Sequence, residues 1–186
     1  MSQTYTLNIA GLTRKLPLLP ISTDLTIASF VMLGDAQLTH AVAKELVKKI
    51  PTDCQALVTL ESKGIPLTHE LALLLGHDRY VVLRKSIKSY MQEPLCVNVQ
   101  SITTTNQQKL VLDKNDATFL AGKKVVLVDD VISTGGSLAA ATELLKKANV
   151  TLQTKIAVLA EGDANKRTDI SYLEHLPLFN ASGAKI

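Results

Sequence analysis

At 186 residues, 46% of them hydrophobic, the chain has the length and composition of one domain with a sizeable core, which argues against disorder. Its 20 Lys and Arg against 17 Asp and Glu leave +3, too even a balance to imply nucleic acid, although a few cations clustered around an anionic substrate would fit it. Cys54 and Cys96 have neither metal spacing nor the density of a disulfide scaffold, and no signal-peptide pattern, membrane-length apolar run, repeat or low-complexity linker is visible. The expectation is a single cytoplasmic domain over 1–186, with no membrane or nucleic-acid partner.

Residues 1–35 are the least regular. Positions 5–10 alternate like a strand closed by Gly11. The apolar run 16–21 holds Pro17 and Pro20, which argue against a helix and against a central strand. Residues 26–35 are apolar without a clear period. The segment reads equally as a hood packed on the core or as part of a substrate lid.

From Asp35 the spacing predicts a helix. Leu38, Val42, Leu46 and Ile50 recur every four residues, with Lys44, Glu45, Lys48 and Lys49 for the wet side and Pro51 to stop it. Residues 55–60 read as a buried strand, 67–75 as a helix ended by Gly76, and 80–83 as a further strand. Alternating strands and helices predict a mainly parallel sheet with helices on its faces.

Two junctions along this run carry charge. Glu61-Ser62-Lys63-Gly64 stands at a strand's carboxyl end just before a helix, a place suited to an anion although also a common turn. Arg84, Lys85 and Lys88 follow the next strand, either as a solvated edge or as counter-charge for an anionic group. Residues 97–102 and 108–113 then alternate around the polar stretch 103–107, which reads as a long hairpin.

The most informative stretch is 125–138. Val125, Val126, Leu127 and Val128 show no polar alternation and so predict a strand buried on both faces. Asp129 and Asp130 fall at its carboxyl end, where open α/β sheets place their ligands. Ser133, Thr134, Gly135, Gly136 and Ser137 lead into strong helix formers over 138–147. Glycines let backbone amides approach a ligand closely, and a helix N-terminus adds donors and a positive dipole end. Paired acids beside such a phosphate cradle would repel the anion unless sugar hydroxyls or a divalent cation lay between. A phosphorylated sugar satisfies both halves. Neither a Walker loop nor dinucleotide glycine spacing is present.

This stretch resembles the phosphoribosyl-diphosphate (PRPP) signature of the type I phosphoribosyltransferases, and the likeness extends over roughly residues 38–162. It implies that family's α/β fold, a mainly parallel twisted sheet with flanking helices, a small hood over 1–35 and a flexible catalytic hairpin over 96–113. It also implies that Asp129 and Asp130 lie against the ribose hydroxyls while Ser133, Thr134, Gly135, Gly136 and Ser137 hold the 5′-phosphate. Residues 61–64 are similar to the family's diphosphate loop, which would put Ser62, Lys63 and Gly64 on that group and leave Glu61 structural. The Arg84-Lys85-x-x-Lys88 pattern is similar to one found at the same place in adenine phosphoribosyltransferases, as catalytic cations on the leaving group. After a buried strand over 155–160, Leu159, Glu161 and Asp163 fall where purine-type members hold the base. Tyr172, Leu173, Leu176, Leu178 and Phe179 read as a packed closing segment.

The further implications are Mg²⁺ carried by PRPP without an assured protein ligand, a purine base (adenine first, giving AMP in salvage) and a homodimer. The hairpin would close over the reaction centre. One departure bears on the base. The adenine enzymes carry a glutamate beside aromatic residues in that hairpin, whereas 103–107 here read Thr, Thr, Thr, Asn and Gln. That acid is not carried over, so xanthine and hypoxanthine-guanine enzymes stay open as alternatives. A non-catalytic PRPP-sensing regulator is a further class. The known purine-operon repressors place a winged-helix domain ahead of this fold, for which the roughly 120 residues before the motif leave no room. His40, His69, His77 and His175 fit no metal spacing.

Overall fold

A computed structural model describes residues 3–99 and 108–186. The chain opens with β1 (Thr4–Ile9) and β2 (Leu12–Pro20), an antiparallel hairpin turned by Ala10 and Gly11, both at positive φ. β3 (Thr26–Ala28) pairs with the other edge of β2. β2 is therefore flanked on both sides, contrary to what its prolines suggest. Position explains it. Pro17 faces Thr4 at the start of β1, and Pro20 ends β2 opposite Thr26, so neither interrupts the middle of a ladder.

Asp35 caps α1 (Ala36–Leu46) by accepting the Leu38 N–H at 3.0 Å, and Arg14 of β2 donates to the same carboxylate at 2.6 Å. This ties the N-terminal strands to the helix start. Leu38, Val42, Leu46 and Ile50 are all buried, as their spacing predicts. β4 (Ala56–Leu60) is buried at every position, and α2 (Ile65–Leu75) ends at Gly76 in the left-handed region, φ 69°. β5 (Val81–Leu83) follows.

β6 (Leu95–Val99) and β7 (Gln108–Leu112) pair antiparallel as the alternation predicts. Residues 103–107, placed at the tip by the sequence, lie outside the described residues, as do 100–102. Arg84 and Val111 exchange backbone hydrogen bonds at 2.8 Å, anchoring the hairpin beside the end of β5. α3 (Lys114–Leu120) leads into β8 (Lys124–Ile132), then α4 (Gly136–Lys147), β9 (Thr151–Glu161), β10 (Ser171–Leu176) and β11 (Leu178–Phe179).

The central sheet has the order β10-β9-β8-β4-β5, with every pair parallel. β8 lies in the middle, which is why it lacks polar alternation. Val126 and Val128 face one apolar layer with α1, α2 and the N-terminal strands, whereas Val125 and Leu127 face another with α4, Leu120 and the β6–β7 hairpin. Both layers exclude water from β8. The tail does more than close the core: β10 is the sheet's edge strand, and β11 pairs with β3 to complete the hood sheet, β1-β2-β3-β11. Phe179 is buried there against Tyr5, ring centroids 5.4 Å apart. Among the described residues, no helix is long and apolar enough to cross a membrane.

Candidate active site

Parallel strands deliver their carboxyl ends to one rim, so the segments after β4, β5, β8 and β9 meet there. β8 runs on through both acids to Ile132, so Asp129 and Asp130 belong to the strand rather than to the loop. Asp130 is buried, and its Oδ2 has no hydrogen-bond partner among the described residues; Lys63 Nζ stands 3.8 Å away. Asp129 Oδ1 accepts the Asp130 N–H at 2.9 Å. Burial, and then the neighbouring charge of Asp130, push the Asp129 carboxyl up to about 7, with Lys63 pulling the other way.

The loop after β8 turns at Gly135, φ 83°, directly ahead of α4. No side chain among the described residues caps that helix, so the amides of its first turn keep their donor capacity. Together with residue 129, residues 131–138 enclose a small cavity of about 90 Å³. Ser133, Thr134, Gly135, Gly136 and Ser137 all line it.

Residues 61–64 sit against this pair of acids. Gly64 is packed so closely that a Cβ would collide with Thr59 Oγ1 and touch Asp129 Cα. Thr59 is itself fixed, its hydroxyl donating to the Val128 carbonyl at 2.9 Å. Thr68 donates from both hydroxyl and amide to the Gly64 carbonyl, at 2.8 and 2.9 Å. Ser62 and Lys63 are exposed above them. The Glu61–Ser62 peptide is cis.

Glu61 turns away from the acids toward the third cluster. It accepts the Lys85 N–H at 2.8 Å and meets Arg84 Nη2 at 3.2 Å. The Lys85 amide, and then the charges of Arg84, Lys88 and Lys85, hold its carboxyl below the usual range, against a counteracting effect of burial. The Arg84 side chain is held back by this contact, with Nε buried and without a hydrogen-bond partner among the described residues. Lys85 is exposed, and Lys88 Nζ donates to Ser86 Oγ at 2.7 Å.

A larger cavity, about 810 Å³, opens between the hood and the turn after β9. Ile21, Leu25 and Ile27 of the hood face Glu161 and Asp163, with Ser133 and Thr134 on the wall shared with the loop. Burial raises the Glu161 carboxyl while Lys63 opposes it. Asp163 pairs with Lys166 at 2.6 Å on the exposed rim. Leu159 does not join them: it is fully buried in the core and lines neither cavity.

The phosphoribosyl transferase domain model matches residues 33–176, more than half of the chain. The chain belongs to this family. A hypoxanthine/guanine phosphoribosyltransferase of Methanococcus maripaludis is 31% identical over 137 residues, 74% of this chain and 70% of that protein. Among solved structures, the adenine phosphoribosyltransferase of Thermoanaerobacter pseudethanolicus superposes with a TM-score of 0.69 at 22% identity, covering 87% of this chain and 95% of that one. The Saccharomyces cerevisiae adenine phosphoribosyltransferase, solved with adenine bound, gives 0.53 at 27% identity over 76% and 75%.

Sequence reasoning misses several residues that shape this phosphoribosyltransferase's rim. Thr59 and Thr68 read as ordinary strand and helix positions, yet their buried hydroxyls hold the Gly64 turn in place. Arg167 lies over Gly135 so closely that a Cβ on the glycine would strike its guanidinium. Its only local signal is Arg-x-Asp, which predicts the Asp169 pair and not the loop contact.

Proposed function

We propose that the chain is a purine phosphoribosyltransferase, moving the phosphoribosyl group of PRPP to a ring nitrogen of a purine base with release of diphosphate. The observation that carries this is the juxtaposition on one rim of an acid pair, Asp130 buried and Asp129 half-buried, with a glycine loop and the 61–64 turn. Residues 133–137 hold the 5′-phosphate through backbone amides and hydroxyls. Asp129 and Asp130 accept from the ribose hydroxyls and offset positive charge developing on the sugar. Ser62, Lys63 and Gly64 receive the diphosphate, and Arg84, Lys85 and Lys88 balance the charge that builds on it as it leaves. Asp130 Oδ2, a buried acceptor without a hydrogen-bond partner among the described residues, fits a donor brought in with PRPP, either a hydroxyl or water on a bound cation. Mg²⁺ would be held chiefly by PRPP with Asp129 and Asp130 beside it, and would supply charge neutralisation on the diphosphate. The larger cavity receives the base, with Glu161 and Asp163 as its carboxylates. A homodimer in the cytoplasm, acting in purine salvage, belongs to the same proposal.

The base divides into two readings. The 61–64 and 84–88 patterns lean toward adenine, but they bind diphosphate and do not read the base. A 31% identity to a protein named as a hypoxanthine/guanine enzyme, and a 103–107 stretch without an acid, favour a 6-oxopurine. The 27% identity to the yeast adenine enzyme supports the other reading. Adenine offers a donor and an acceptor where 6-oxopurines offer the reverse, so a buried site leaves groups unpaired with the wrong base. Diphosphate release should be followed with PRPP, Mg²⁺ and each of hypoxanthine, guanine, xanthine and adenine. We expect hypoxanthine or guanine to exceed adenine in kcat/KM by about tenfold or more. The opposite order would restore the adenine reading within the same chemistry. Tight PRPP binding without turnover of any base would instead favour a PRPP sensor.

A further inference from the structure

We propose that Arg167, which lies outside the 125–138 motif, binds the 5′-phosphate and positions its loop, with its guanidinium closing the open side of the 133–137 cradle. This rests on the PRPP reading above. The guanidinium lies on Gly135, where a Cβ would collide with Nη1 and approach Cζ to 3.4 Å. Position 135 is therefore glycine for two reasons, its φ of 83° and the arginine above it.

The far edge of the guanidinium is locked. Nε and Nη2 donate to Asp169 Oδ1 and Oδ2 at 2.9 and 2.8 Å, and the same carboxylate takes Lys155 Nζ at 2.7 Å. This bidentate grip orients the planar fork and leaves Nη1 on the loop side, where it makes no hydrogen bond among the described residues. Two cations face one carboxylate, so the cluster keeps a net positive charge. Arg167 lines the larger cavity together with Ser133 and Thr134, the two loop residues that also line the small one, so it approaches the loop from the larger cavity's side. A side chain that served only to cover the turn would need no such orientation and no excess charge. A phosphate seated on the loop amides uses both.

The test is calorimetric titration of the full chain with ribose 5-phosphate, PRPP and inorganic diphosphate, each with Mg²⁺, for wild type, Arg167→Gln and Arg167→Lys. Arg167→Gln should weaken ribose 5-phosphate and PRPP by about tenfold or more, leaving diphosphate within about twofold, and Arg167→Lys should regain part of the loss. Wild-type affinity for ribose 5-phosphate should rise as the phosphate loses its second proton near pH 6, and that rise should shrink in Arg167→Gln. Ribose 5-phosphate binding by Arg167→Gln within about twofold of wild type overturns the proposal, because a charged hydrogen bond is worth more than that. An equal loss for diphosphate also overturns it, as the mark of a general structural role. Wild type that binds diphosphate but not ribose 5-phosphate removes the reading of the loop itself, and Arg167's part with it.

Discussion

Asp129→Asn should raise stability while abolishing most activity. In the folded chain the carboxyl rises from an ordinary 3.8 to about 7, chiefly through burial and next through Asp130. A carboxyl that binds its proton more tightly in the folded state contributes stability that is fully present below the unfolded value, and loses it as pH climbs through the folded one. The window runs from about pH 4 to about pH 7, and at 1.36 kcal/mol per pH unit the loss is at most about 4 kcal/mol. Asparagine cannot ionise, and its Oδ1 can still accept the Asp130 N–H. The variant should therefore match wild type only below about pH 4 and exceed it near pH 8 by about 1–4 kcal/mol, several degrees in Tm for a chain of this size. Thermal melts without PRPP or Mg²⁺ at those two values measure it. Turnover should meanwhile fall on the order of a hundredfold if, as proposed above, this carboxylate offsets charge developing on the sugar. Wild-type and variant melting curves that stay parallel across the window, or a variant less stable at pH 8, would refute the reasoning.

Replacing both Asp129 and Asp130 by Asn should cost at least on the order of a hundredfold in kcat, and a double variant that turns over PRPP near the wild-type rate would remove the acids from the mechanism. Gly64→Ala should lose about 1–3 kcal/mol in urea unfolding, because its methyl meets a Thr59 hydroxyl already committed to Val128; unchanged stability would mean that the turn can shift freely. Glu61→Gln should raise the KM for PRPP severalfold while keeping stability within about 1 kcal/mol, since Arg84 and Lys85 lose a half-buried anchor. An unaltered KM would show that Glu61 does not orient them. In wild type the depressed Glu61 pKa contributes stability above the ordinary carboxylate range that fades as pH falls through its folded value, and melts below about pH 5 should show Glu61→Gln losing less.

Much of the fold can be read from local pattern, and the reasons are physical. β8 lies between two apolar layers, so its sequence shows four uninterrupted aliphatic residues, and burial on both faces is the direct cause. α1 packs on one face, and a four-residue period survives in its sequence. α3 offers no such trace, because Leu120 is its one buried residue and a single apolar position carries no period. The prolines of β2 mislead for a related reason: whether a missing donor matters depends on which strand residue lies opposite, and register is a property of two segments.

The same division runs through the candidate site. Asp129, Asp130 and residues 133–137 are contiguous, so their chemistry is visible as spacing. Lys63 and Asp130 are brought together by neighbouring parallel strands that place their ends on one rim, which βαβ alternation predicts without naming the pair. Leu159 shows the limit of that logic. Rim position alone suggests a pocket residue, yet the cavity begins two residues further along β9, at Glu161, beyond the last fully buried positions. Gly135 combines both kinds of information: the turn it makes before a helix is legible in Thr-Gly-Gly, whereas the guanidinium that also demands a glycine there comes from a residue 32 positions away. Spacing reveals which groups could act together along one segment. Only the packed sheet decides which distant groups confine them.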